Sequence, residues 1–167
     1  MLLDGRRIRP TQMENQSFIE RGGLWVATQN VLTVAVMALA PMFRGQWTNP
    51  FTTIVGIVVF GVGGWFGIAG VRALGRNRTA YPKPLEDSTL VQSGVYGLVR
   101  HPLYSSLMFA SVGWALLWAS AASLAAAGAL TFLLRAKAIC EERWLRERYL
   151  DYAQYERRVK RFVPGVW

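Results

Sequence analysis

Across 167 residues there is one cysteine, Cys140, and one histidine, His101. A lone thiol cannot form an intrachain disulfide, and no clustered Cys/His motif is present to hold a metal. Charge is scarce as well. Charged residues make up 17% of the chain, against about 25% in ordinary soluble domains. Acidic side chains are fewest, with 10 Asp and Glu against 19 Lys and Arg. Common catalytic signatures are missing too. No serine sits in a nucleophile-elbow pattern. Gly61-Val62-Gly63-Gly64 lies inside an apolar run with no lysine after it, so it is no phosphate-binding loop. The chain has no internal repeat and no low-complexity segment.

What the chain does have is apolar length. Its hydrophobic fraction is 52%, and the charges are gathered at the ends and in one central block. This arrangement predicts an all-α, polytopic membrane helix bundle of about four transmembrane helices. Residues 1–22 read as a polar cytoplasmic tail with Arg6, Arg7, Arg9 and Arg21. The first span is expected over 23–43. Ala38-Leu39-Ala40 resembles a signal-peptidase site, but Pro41 and the long preceding tail favour an uncut helix. After a short turn with Trp47 comes a second span, 51–74, in which Gly63 and Gly67 share one face. Spans are expected again at 103–119 and about 122–139, joined by an uncharged connector. The fourth helix should continue past the membrane through Glu141, Glu142 and Arg146. The chain thus divides into the tail, two helices over 23–74, and a functional region over 75–167.

The net charge of +9 could suit nucleic acid, but these basic residues flank apolar spans and report orientation instead. Lys and Arg number four in the tail, one in the first turn, five from Arg72 to Arg100, none in the second turn and nine from Arg135 onward. That alternation places both termini and the 75–102 loop in the cytoplasm, at the inner membrane if the cell is bacterial. The two conspicuous polar regions, 75–104 and 135–161, then share one side of the bilayer.

Those regions carry the candidate chemistry. Gly94-Val95-Tyr96-Gly97-Leu98-Val99-Arg100-His101-Pro102-Leu103-Tyr104 sets a polar cluster at the mouth of an apolar helix. Lys137 and Glu141 are one helical turn apart, and Glu142 points about 100° away from Glu141. The plainer interpretation is a helix start, with Pro102 in its first turn, and ordinary ion pairs on a solvated helix. Taken alone, the residues describe a cytoplasm-facing polar pocket with an unspecified ligand.

Leu90-Val91-x-x-Gly94-x-Tyr96-x-x-x-Arg100-His101-Pro102-x-Tyr104, a helical hairpin, then Glu141-Glu142 and a Tyr-rich basic tail resemble the isoprenylcysteine carboxyl methyltransferase family. That family is related to membrane phospholipid N-methyltransferases. The resemblance covers about 75–164 and implies S-adenosyl-L-methionine as cofactor, bound at the cytosolic ends of the last helices. Thr89, Leu90, Val91, Tyr96, His101, Pro102, Leu103, Tyr104 and Glu141 would form the cofactor pocket. Lys137 falls where members that methylate a carboxylate place a substrate-binding arginine. Arg100 and Glu142 are the candidate catalytic residues, with Glu141 or Glu142 as the proton acceptor for an amine or thiol. The implied partner is a lipophilic small molecule or lipid, with no metal and no nucleic acid. The expected reaction is O-methylation of a carboxylate, with phospholipid or small-molecule N- or S-methylation as the alternative. Two other classes stay open: an NADPH-dependent membrane protein similar to sterol reductases, and a non-catalytic membrane scaffold.

Overall fold

The computed structural model describes residues 22–75 and 89–166. The expected N-terminal tail and most of the 75–88 stretch lie outside the described residues. The described chain is helical throughout: α1 (Gly23–Met42), α2 (Pro50–Leu74), α3 (Pro102–Leu117), α4 (Ala121–Arg148) and α5 (Tyr152–Arg158), with a short 3-10 turn at Gly94–Gly97. α1, α2 and α4 are long and apolar enough to cross a membrane. At 16 residues, α3 is about 24 Å long, short of the roughly 30 Å hydrocarbon core. This is a polytopic helical membrane protein. Its lipid-facing surface is apolar, with Val31, Phe51, Ile54, Trp65 and Phe132 all exposed.

In lipid, backbone groups need partners from the protein, and the helix ends show how they are met. α2 starts with Asn49, whose side chain accepts from Thr52 N while the Thr52 hydroxyl receives the Asn49 N–H, and Pro50 follows at the first helical position. Pro41 lies inside α1, so it cannot donate to the carbonyl four residues earlier. That carbonyl, Met37 O, instead accepts from Trp114 Nε1 of α3 at 3.4 Å. Ser123 Oγ donates to Val36 O at 2.8 Å and Ser120 Oγ to Leu39 O at 3.2 Å. These hydroxyls tie the start of α4 to the end of α1.

The bundle pairs α2 with α3 and α1 with α4. The α2–α3 contact is a backbone approach. A Cβ at Gly63 would stand 2.5 Å from Ala110 N, and one at Gly113 would collide with the backbone of Phe60. Residues 118–120 join α3 to α4, and Ser120 caps α4 by accepting from Ser123 N. α4 is unbroken for 28 residues, about 42 Å, so it carries Glu141 and Glu142 well beyond its apolar half.

Beyond α5 the chain returns to the start of α3. Val99 and Lys160 form an isolated parallel bridge. Arg100 N donates to Lys160 O at 2.8 Å and His101 N to Arg161 O at 3.1 Å. Ser105 Oγ, fully buried, donates to Phe162 O at 2.8 Å. The Phe162 ring is buried in the α3–α4 core with Met108, Leu130, Leu134 and Ala138.

Candidate functional site

Two polar segments meet where α3 begins and α4 leaves its apolar stretch. Pro102 starts α3, and the bridge to Lys160 fixes the backbone just before it, so Arg100 and His101 are held on both sides. Between these segments, the 3-10 turn and α5 lies a cleft of about 800 Å³, its open mouth included.

Thr89, Leu90, Val91, Tyr96, Arg100, His101, Leu103, Tyr104 and Glu141 all line this cleft. The remaining wall consists of Leu74, Leu145, Tyr149, Tyr152 and Tyr155, which sequence reasoning did not assign. Their signal was present as three tyrosines at intervals of three, but only the fold of α5 shows which way they face. Tyr155 Oη donates to Tyr96 O at 2.6 Å, tying α5 to the 3-10 turn. Burial is the main cause pushing the Tyr96, Tyr152 and Tyr155 hydroxyls well above their ordinary range, so they stay neutral. The Tyr152 hydroxyl is buried with no hydrogen-bond partner among the described residues.

At the polar end, Tyr104 Oη donates to Glu141 Oε2 at 2.7 Å. The His101 and Tyr104 rings stack 5.2 Å apart, 1° from parallel. His101 Nε2 lies 3.1 Å from Glu142 Oε1, and Nδ1 lies 3.8 Å from Glu141 Oε2. Against an ionised carboxylate Nε2 is the donor.

Three expected residues stand outside the lining. Pro102 is buried behind it, packed toward Gly70 of α2. Its part is to start α3. Glu142 is fully buried and surrounded by donors. Arg100 Nε and Nη2 reach its Oε1 at 3.1 and 3.0 Å. Arg161 Nε reaches the same oxygen at 3.0 Å, and Arg161 Nη2 reaches Oε2 at 2.6 Å. The carboxylate is thus occupied by donors on both oxygens and enclosed away from the cleft. Arg100 borders the cleft, and its guanidinium faces Glu142 and, through Nη1, the carbonyls of Glu156 at 3.0 Å and Val159 at 2.6 Å. Lys137, 2% exposed, donates to Gln29 Oε1 of α1 at 2.8 Å and lies 5.3 Å from the centre of the Tyr104 ring.

The lining suits a ligand with an ammonium or hydroxyl group and a flat ring system. Glu141 can meet an ammonium or hydroxyl, and the tyrosine wall an aromatic ring. No group of three or more His, Cys, Asp and Glu suited to a metal occurs among the described residues.

Residues 51–151 match the family model described as phospholipid methyltransferase. The stretch covers more than half of the chain and most of the cleft. The chain belongs to the phospholipid methyltransferase family. A relative, the cobalt-zinc-cadmium resistance protein CzcN of Cupriavidus metallidurans, is 29% identical over 149 residues, covering 87% of this chain and 64% of the relative. The chain thus spans less than two thirds of that relative's length. No solved structure matches.

Proposed function

We propose that the protein is an S-adenosyl-L-methionine-dependent methyltransferase acting on a lipophilic acceptor from the bilayer. The observation that carries this reading is the cleft itself. It gathers His101, Tyr104 and Glu141 opposite a tyrosine wall, inside the stretch that defines the family. When bound, the cofactor supplies a methyl group activated on a sulfonium. Glu141, held by the Tyr104 hydroxyl and flanked by His101, takes its ammonium or a ribose hydroxyl, and Leu90, Val91 and the tyrosines enclose its adenosine. The chain's contribution is alignment and exclusion of water, which can account for much of the acceleration in a reaction of this type.

The acceptor we favour is a carboxylate. It is already ionised at neutral pH and needs no proton removed, and the better buried of the paired glutamates, Glu142, is saturated by donors. Lys137, beside the ring of Tyr104, is the cation placed to attract it. The family description favours a second reading, a phospholipid amine, for which Glu141 is the proton acceptor available. Both termini and the loop before α3 are cytoplasmic in this proposal, so the cofactor enters from the cytosol.

Binding to the detergent-purified protein tests the reading. Saturable S-adenosyl-L-methionine binding is expected, lost in His101→Ala and Glu141→Ala variants that keep the wild-type helical circular dichroism. Binding of NADPH alone, or of neither, would sink it. Tracing a labelled methyl group into membrane extracts separates the acceptors: a base-labile label marks an ester, a stable headgroup label an amine.

A further inference from the structure

Arg161 lies outside the stretch that matches the family and outside the lining of the cleft, yet it is built in directly behind it, against Glu142. Its backbone is pinned on both sides. Arg161 O accepts from His101 N at 3.1 Å. Phe162, the next residue, is buried in the α3–α4 core and its carbonyl receives Ser105 Oγ. From this fixed point its guanidinium grips Glu142 with two bonds, Nε to Oε1 at 3.0 Å and Nη2 to Oε2 at 2.6 Å. A planar fork on both oxygens fixes the rotation of a carboxylate, which a point charge does not. Once Glu142 is fixed, so is the direction from which its Oε1 accepts His101 Nε2. That bond in turn sets which edge of the imidazole, stacked on Tyr104 and flanked by the tilted ring of Phe162, turns toward Glu141 and the cleft. The same oxygen receives Arg100, so both residues ahead of α3 are oriented through one carboxylate.

We infer that Arg161 is a positioning residue for the cofactor site, acting through Glu142 to set the orientation of His101. The identity of the cofactor rests on the reading above; the orientation of His101 does not.

His101 is the chain's single histidine, so its imidazole nitrogens give unambiguous magnetic resonance signals in 15N-histidine-labelled protein. The deciding variants are Arg161→Lys, which keeps the charge and loses the fork, and Arg161→Gln combined with Glu142→Gln, which removes both buried charges. For each, the imidazole spectrum, the unfolding temperature and the affinity for S-adenosyl-L-methionine are measured. Arg161→Lys is expected to unfold near the wild-type temperature, with the Nε2 signal displaced and the affinity about tenfold weaker, the equivalent of one charge-assisted bond. The double variant leaves Arg100 with Glu156 as its remaining carboxylate and His101 without an ionised partner, so where it folds its affinity should stay low. If Arg161 serves only to neutralise Glu142, the double variant will bind like wild type, and the inference falls. An unchanged imidazole spectrum in folded Arg161→Lys overturns it as well. Should wild type fail to bind the methyl donor, the cofactor reading falls, while a displaced Nε2 signal still upholds the positioning through Glu142.

Discussion

Replacing Tyr152 by phenylalanine should make the protein more stable. Its hydroxyl is buried without a partner among the described residues, and removing such a group recovers a desolvation cost of about 1 kcal/mol; a higher unfolding temperature is the check. Glu142→Ala should do the reverse. It strands Arg100, Arg161 and His101 around an empty centre, at a cost of about 3–5 kcal/mol, visible as a loss of folded protein in detergent. Outside the spans, Glu156 offers a pH test. Hydrogen bonds from Arg146 at 2.9 and 2.7 Å hold its carboxyl below the ordinary range. The unfolded chain therefore takes up this proton first on acidification. The stabilisation is complete above the ordinary carboxylate range and disappears as pH falls through the lowered value. The unfolding-temperature advantage of wild type over Glu156→Gln should shrink accordingly below about pH 4. At this scale the sequence was readable where side chains follow helical geometry. Glu141 and Glu142 differ by about 100° of rotation, and one borders the cleft while the other turns to the arginines. Arg161 was not readable, because its partner is set by a single bridge residue pair and not by any periodicity.

Between elements, the α2–α3 contact makes the sharpest demand. A methyl group at Gly63 has no room against Ala110, whereas Gly64 faces open space. Gly63→Ala should cost about 2 kcal/mol. Gly64→Ala should be neutral or stabilising by up to about 1 kcal/mol. Comparing their unfolding in the same detergent separates backbone approach from general glycine flexibility. The hairpin of α3 and α4 and the run of α4 past its apolar half were legible from an uncharged connector and an unbroken helical register. The shortness of α3 was legible too, since the expected span, 103–119, nearly coincides with the observed Pro102–Leu117. The tie between Lys137 and Gln29 was hidden. It joins α1 to α4 across 108 residues, and two polar groups in separate apolar runs do not announce that they face each other.

For the molecule as a whole, charge alternation predicts which face of the bilayer carries the cleft. Single cysteines placed at the exposed positions Gln46 and Gln154, in a Cys140→Ser background, should react with an impermeant thiol reagent from opposite sides. Gln154 should be labelled only from the cytosol. Labelling of both from one side would break the proposed topology. Charge alternation predicts that 75–104 and 135–161 share one side, but not that residues 152–162 fold back onto the start of α3. That closing segment arrives late. The cleft needs the chain as far as Tyr155 for its wall and as far as Phe162 for its bracing, after the described membrane-spanning helices have been made. During synthesis the protein therefore passes through a stage in which those helices are present and the cleft is not.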